Sequence, residues 1–124
     1  NLAGQLFLQK ITSGDAGSSY PVGIIAPNDF TAYAVLRMAT GQGKVMGADY
    51  GLIGFDDDAR SCALGLTTVR PPIEAMGEEA GRLLLRALHG EQGGLQVRLR
   101  SQVIPRASTD LPNREFPAGN SKVS

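Results

Sequence analysis

The chain contains 124 residues, with 12 Lys and Arg against 12 Asp and Glu, one Cys and one His. The balanced charge gives no electrostatic footprint for a phosphate backbone, which excludes direct contact of this segment with nucleic acid or an anionic membrane. One Cys cannot form an internal disulfide, a pattern that is typical of a reducing compartment. No apolar run approaches the ~20 residues of a membrane helix. We therefore expect a soluble globular domain.

The first half of the chain predicts a strand, a helix and a second strand. Helical spacing of the first apolar residues indicates a short helix before a turn rich in Gly and Ser. The run 22–26 is apolar at successive positions and too short for a helix, which predicts a strand buried on both faces. Asn28 or Asp29 can cap the next helix, expected over 29–40. A second strand over 51–55 completes a βαβ unit.

The second half contains the clearest helix of the chain. A short extended stretch at 66–69 precedes it, Pro71 and Pro72 mark its start, and Gly90 is placed to end it. Alternation of apolar and polar residues predicts a strand from 95 through 104. The last dozen residues are expected to form a mobile tail. The helix carries an apolar stripe at steps of three, four and one, made of Ile73, Met76, Ala80, Leu83, Leu84, Ala87 and Leu88.

Polar side chains follow both predicted strands of the βαβ unit. Asn28 and Asp29 follow the first strand, and Asp56, Asp57 and Asp58 follow the second. In a parallel α/β sheet, ligands bind beyond the carboxyl ends of the strands. Amide and carboxylate groups at such a place suit the vicinal hydroxyls of a neutral, sugar-like ligand. The alternative is that these side chains only cap helices and fill turns.

Three consecutive aspartates also allow a different chemistry. Asp56 to Asp58 could hold Mg²⁺ or form an acidic phosphoacceptor pocket. Successive residues at a strand end usually point in different directions, so such a site needs special geometry. Cys62 has no partner in the sequence and is interpreted as a packing or interface residue. With one His, one Cys and no Gly-x-Ser-x-Gly motif, nothing indicates nucleophilic hydrolysis. We expect no catalytic residue, metal or cofactor.

Four motifs, taken in order, carry a resemblance to a known family. They are PVGIIAPND from Pro21, GFDD from Gly54, LTTVRPPIEAMG from Leu66 and IPRAST from Ile104. Together they resemble the C-terminal half of the effector-binding domain of LacI/GalR-type transcriptional regulators, over roughly residues 1–109. The implied fold is α/β, a three-layer sandwich with a mainly parallel sheet. It corresponds to an incomplete second lobe of a periplasmic-binding-protein-like domain.

The resemblance also implies which residues contact an effector. Asn28 and Asp56 match the family positions that face the effector between the two lobes. Asp29 matches the residue that starts the following helix, and Ile73 matches a position that often forms an apolar wall beside the ligand. The ligand-binding residues predicted in this way are Asn28, Asp29, Phe55, Asp56 and Ile73.

A dimer interface is the next expectation, because the family dimerises partly through the helix that starts at Asn28. The stretch from Phe30 to Met38 carries one charged residue, Arg37, and therefore favours a helix covered on both sides. The alternative is a helix buried within one subunit. The interface residues predicted are Phe30, Tyr33, Ala34, Arg37, Met38 and Cys62.

The resemblance divides the chain into three parts and implies its function. Residues 1–70 form the partial second lobe, 71–105 a returning helix and strand of the first lobe, and 106–124 a return segment and tail. The implied function is effector sensing and dimerisation within a cytoplasmic, non-enzymatic regulator. The effector is a small polar metabolite, sugar-like, and DNA is contacted only through an N-terminal headpiece outside this sequence. The alternatives are a periplasmic sugar-binding component of a transporter and an Mg²⁺-dependent phosphoacceptor or phosphatase domain.

Overall fold

A computed structural model describes residues 22–91, 93–94 and 96–110. The short helix and the mobile tail predicted at the two ends lie outside the described residues. The elements are β1 (Val22–Ile25), α1 (Asp29–Thr40), β2 (Tyr50–Phe55), α2 (Ala59–Ala63), β3 (Thr67–Arg70), α3 (Ile73–Leu88), β4 (Gln102–Ile104) and a 3₁₀ turn (Ala107–Thr109).

The four strands form one mainly parallel sheet in the order β1-β2-β3-β4. Strands β1, β2 and β3 are parallel, with Ile24 beside Leu52 and Ile53 beside Thr67. Strand β4 runs antiparallel to β3 and places Val103 beside Val69. The predicted βαβ unit and the predicted α/β class are confirmed.

The core lies between α1 and one face of the sheet, where the helix packs on β2. Successive strand residues point to opposite faces. Ile24 therefore faces α1 and is buried, whereas Ile25 points away and is 81% exposed. The prediction that this strand is buried on both faces was wrong, because an apolar run does not reveal whether its second face is covered. The buried apolar residues are Ile24, Ala26, Ala32, Val35, Ala39, Tyr50, Leu52 and Leu66.

The predicted strand over 95–104 is shorter in the structure. Only Gln102–Ile104 pairs with β3, and residues 96–100 have no strand partner. Strand β3 has four residues, so it offers no further backbone for the preceding segment to pair with. Residue 95 lies outside the described range. The prediction of one wet and one dry face was also wrong, because residues 96–103 are exposed throughout, with Val97 46% and Val103 62% exposed.

Helix α3 starts after Pro72, and Gly90 follows its end with a φ of 82°, as expected for a helix-terminating glycine. None of its residues is buried. Ile73, Leu84 and Leu88 are all more than half exposed, so the predicted apolar stripe lies on the surface of the described part of the chain. No helix among the described residues is long and apolar enough to cross a membrane.

Candidate functional site

The carboxyl ends of β1, β2 and β3 meet at one edge of the sheet. The backbone N–H of Ala26 donates to the carbonyl of Ile53 at 2.8 Å, which continues the pairing of β1 with β2 by one residue. The N–H of Asp56 donates to the carbonyl of Val69 at 2.9 Å and does the same for β2 and β3. The loop that follows β2 is therefore anchored to the strand beside it.

A groove of about 370 Å³ lies at this edge, between the end of β2, the start of α3 and the segment before β4. Apolar side chains form most of its walls, Asp56 supplies a carboxylate and Ser101 a hydroxyl. Three predicted ligand residues, Phe55, Asp56 and Ile73, are brought together here. We call this the strand-end groove, lined by Phe55, Asp56, Pro71, Pro72, Ile73, Met76, Val97, Leu99 and Ser101.

Asn28 lies at the neighbouring strand end but does not line the strand-end groove. Its Oδ1 accepts a hydrogen bond from the backbone N–H of Thr31 at 2.8 Å, which caps the first turn of α1. The side chain is half-buried. Of the two capping candidates in the sequence, Asn28 is the one that caps α1. The cap uses only its Oδ1 and does not involve its amide nitrogen.

Asp29 does not reach the groove, because its side chain is fully buried. Its Oδ2 accepts hydrogen bonds from the backbone N–H of Asp58 at 2.8 Å and from the hydroxyl of Ser61 at 2.6 Å. Its Oδ1 accepts one from the hydroxyl of Thr68 at 2.7 Å. Both oxygens thus hold the loop after β2 and the middle of β3, and the contact of Asp29 with a ligand stays a prediction.

The loop after β2 turns through two aspartates in left-handed backbone geometry. Asp56 has a φ of 103° and Asp57 a φ of 54°, and they are the non-glycine residues with positive φ in the described part of the chain. Such conformations cost on the order of 1–3 kcal/mol each and persist only where surrounding contacts hold them. Asp56 is exposed and faces the groove, whereas Asp57 turns back toward the protein.

The carboxylate of Asp57 is held between two guanidinium groups. One belongs to Arg70 at the end of β3, and the other to Arg106, whose Nη2 lies 2.8 Å from Oδ1. Arg106 also donates through Nη1 to the carbonyl of Leu66 at 2.8 Å. Burial raises the pKa of Asp57, but the hydrogen bonds from Arg106 and Arg70 outweigh it and hold the pKa below its ordinary value. Asp57 is therefore ionised at neutral pH.

Asp58 has a third role, at the N-terminus of α2. Its Oδ1 accepts from the backbone N–H and the side chain of Arg60 and from the hydroxyl of Tyr33 at 3.0 Å. The hydrogen bonds from Arg60, and next that from Tyr33, lower the pKa of Asp58. The three aspartates thus point to three different places. Within the described residues, no group of three or more His, Cys, Asp or Glu side chains is placed to hold a metal ion.

Two aromatic side chains of α1 contact an arginine of α2. The Arg60 guanidinium lies 4.7 Å from the ring centres of both Phe30 and Tyr33. Desolvation raises the pKa of the Tyr33 hydroxyl, which therefore remains protonated and donates. Ala34 and Arg37 are exposed on the same helix, and Cys62 on α2 is exposed rather than packed inside.

Several residues of the site were missed from the sequence. Arg70 and Arg106 bind Asp57, and Ser61 and Thr68 bind Asp29, yet none of the four was assigned a role. Thr68 and Arg70 lie in β3, Ser61 lies in α2, and Arg106 lies between β4 and the 3₁₀ turn. Three of them, Thr68, Arg70 and Arg106, lie inside motifs that carried the family resemblance, which was the available signal.

The topology and the groove define this chain as part of a periplasmic binding protein-like domain, and the sequence profile of that description matches residues 3–109. The chain belongs to this family. Within it, the chain corresponds to the C-terminal half of the effector-binding domain of LacI/GalR-type transcriptional regulators, as its curated relatives and structural neighbours show. These relatives are transcriptional regulators and not enzymes.

Three comparisons illustrate the relationship. The ribose operon repressor of Bacillus subtilis (strain 168) is 44% identical over 72 residues, which cover 55% of this chain and 22% of that protein. A LacI family regulator from Enterococcus faecium with bound ribose superposes with a TM-score of 0.68 and 29% identity, over 90% of this chain and 40% of that one. A dimeric Lac repressor gives a TM-score of 0.70 and 26% identity, over 90% and 41%.

The chain is short relative to these proteins. The matched parts span 22 to 28% of the length of the three curated relatives it matches first. The activity of a whole regulator therefore enters below only as a proposal.

Proposed function

We propose that this chain is the effector-sensing and dimerisation part of a cytoplasmic LacI/GalR-type regulator, and that it binds a sugar in the strand-end groove. The observation that carries the proposal is the composition of that groove, in which the exposed carboxylate of Asp56 meets walls that are mostly apolar. Sugars present hydroxyl donors at their edges and C–H groups on their faces, which matches a carboxylate beside Phe55 and Ile73. A structural neighbour with bound ribose supports this choice.

The charge of the groove favours a neutral sugar over a phosphorylated one. Asp56 is the charged side chain among the described residues that line the groove. The nearby cations Arg70 and Arg106 are already bound to Asp57. A phosphate group would therefore meet an unscreened negative charge without a compensating positive one. D-ribose is the probe of choice, and D-ribose 5-phosphate is its charged counterpart.

In this proposal the chain keeps the three parts indicated by its sequence. Residues 1–70 form the second lobe, 71–105 return toward a first lobe, and 106–124 form the return segment and tail. DNA is contacted through a headpiece outside this sequence. Effector binding biases lobe closure, which changes the spacing of two headpieces in a dimer. Asn28, at the strand end beside the groove, is proposed to reach the effector from the second-lobe side.

The experiment is a titration of the ¹⁵N-labelled chain with D-ribose, followed through backbone amide shifts. We expect shifts confined to Phe55, Asp56 and Ile73 and their neighbours, and weaker or absent shifts with D-ribose 5-phosphate. Asp56→Asn removes charge-assisted hydrogen bonds worth about 1.5–3 kcal/mol and weakens binding more than tenfold. Asp49→Asn changes an exposed carboxylate before β2, at the opposite end of that strand, and leaves the affinity unchanged. Equal binding by the Asp56 and Asp49 variants contradicts the proposal.

A further inference from the structure

We infer that Asp57 is a positioning residue: held between Arg70 and Arg106, it fixes the left-handed backbone that turns the Asp56 carboxylate into the strand-end groove. The inference rests on the proposed function only for the identity of the ligand. The positioning itself concerns the free protein, so it can be tested without any ligand.

The backbone geometry shows why a positioning contact is needed. Asp56 and Asp57 both have positive φ, a conformation that costs free energy for a residue with a Cβ. An extended backbone would continue β2 and point the Asp56 side chain to the face of the sheet opposite that of Phe55. Contacts with the surrounding structure are therefore required to hold Asp56 and Asp57 in this backbone conformation.

The contacts of Asp57 meet this requirement. Its carboxylate is 7% exposed and is bound by Arg70 on one side and by Arg106 on the other. Its backbone N–H points to the hydroxyl of Thr68 at 3.3 Å. Two ion pairs and a backbone contact thus hold one residue from three directions, directly after Asp56 in the chain.

The two arginines also lie next to chain segments that line the groove. Arg70 ends β3 and directly precedes Pro71 and Pro72, which line the groove and lead into α3. Arg106 follows β4, on the segment that returns from Ser101. The side chain of Arg106 is 15% exposed and its second Nη is bound to the Leu66 carbonyl, so it has little freedom to move. Asp57 therefore sets the position of Asp56 relative to both walls of the groove.

The adjacent Asp58 offers a matched control. It carries the same carboxylate, accepts hydrogen bonds from an arginine and a tyrosine, and caps α2, but it does not line the groove or contact Arg70 or Arg106. Asp57→Asn and Asp58→Asn each remove one negative charge from the same loop. A role of Asp57 limited to general stability predicts similar effects of the two changes at Asp56.

The test measures Asp56 in the ligand-free, folded chain by NMR. The three-bond coupling between the amide and α protons of Asp56 reports its φ, and amide exchange reports its bond to Val69. We expect Asp57→Asn and Arg106→Gln to move the coupling toward the value of extended backbone. Both variants are also expected to raise the amide exchange rate of Asp56 at least tenfold relative to that of Leu52, a buried core residue. Asp58→Asn leaves the Asp56 coupling unchanged and alters the Asp56 exchange rate by less than twofold.

Titration with D-ribose completes the test. In a variant whose Asp56 coupling has shifted, we expect the affinity for D-ribose to fall about tenfold. The affinity of Asp58→Asn stays within threefold of that of the original chain. An unchanged coupling and exchange rate at Asp56 in Asp57→Asn overturns the positioning role, whatever the sugar does. A shifted coupling together with no binding of D-ribose by any form supports the positioning role and overturns the choice of ribose instead.

Discussion

The hydroxyl of Thr68 donates a hydrogen bond of 2.7 Å to Oδ1 of Asp29, which joins the first residue of α1 to the middle of β3. Both side chains are fully buried. The other oxygen of Asp29 accepts from Ser61 and from the backbone of Asp58. The Asp29 carboxylate therefore links α1 to the loop after β2 and to β3, which lies two strands away from β1 in the sheet.

Asp29→Asn tests this link with a side chain of nearly equal size. The amide nitrogen replaces an acceptor, so at least one of the three donors loses its partner inside the protein. We expect a loss of about 3 kcal/mol in the free energy of unfolding, because breaking a buried charged hydrogen bond leaves its partner unsatisfied. Urea unfolding measures it. Glu74→Gln, an exposed carboxylate on α3, is the control and stays within about 0.5 kcal/mol.

Gly54 has no Cβ, and this leaves room for the buried carboxylate of Asp29 beside β2. A Cβ at Gly54 would overlap Oδ1 of Asp29 and approach Cδ2 of Leu66 at 3.2 Å. We therefore expect Gly54→Ala to cost about 3 kcal/mol, at the upper end of overpacking effects, since the buried carboxylate cannot move without breaking its hydrogen bonds. The free energy of unfolding in urea measures this loss.

Gly23 gives the matched control for Gly54→Ala. It lies in β1, and a Cβ there has no neighbour within 4 Å. Gly23→Ala is therefore expected to be neutral or to stabilise by less than about 1 kcal/mol, through a less flexible unfolded chain. Similar stability of the two alanine variants would show that the overlap at Asp29 is relieved without cost.

The order of elements and the strand-end location of the site could be predicted from the sequence. The run 22–26 and the cap at Asn28 depend on local spacing, and the four family motifs identified the fold. Phe55, Asp56 and Ile73, which the resemblance implied as ligand-binding residues, line one groove at the carboxyl ends of the parallel strands.

The roles of Asp29 and Asp57 could not be predicted, because their partners are distant in the sequence. Asp29 binds Thr68, 39 residues away, and Asp57 binds Arg106, 49 residues away. No periodicity or local spacing reports which of three consecutive aspartates faces solvent and which turns inward. The exposed second face of β1 was missed for a related reason, since an apolar run carries no information about the element that covers it.

The acid sensitivity of folding follows from Asp57. Its pKa in the folded chain lies below the ordinary value of 3.8, so the unfolded chain binds the proton more tightly. The stability from Asp57 is therefore fully present above about pH 4 and is lost as the pH falls through the folded pKa. We expect the unfolding free energies of the original chain and Asp57→Asn to differ most near neutral pH and to approach each other as the pH falls below 3.8 and through the folded pKa. A difference that does not shrink as the pH falls below 3.8 contradicts this assignment.

The exposed face of α1 provides the test of the proposed dimer. Ala34 is exposed beside Phe30 and Arg37, and α1 is expected to pack against its copy there. Ala34→Glu places two like charges opposite each other in a symmetric interface. We therefore expect the dissociation constant of the dimer, measured by sedimentation equilibrium, to rise at least tenfold. Thr40→Glu adds the same charge at the exposed last turn of α1 and leaves the association unchanged. An unaltered dimer in Ala34→Glu would locate the interface on another surface, and a monomeric original chain would exclude the dimer itself.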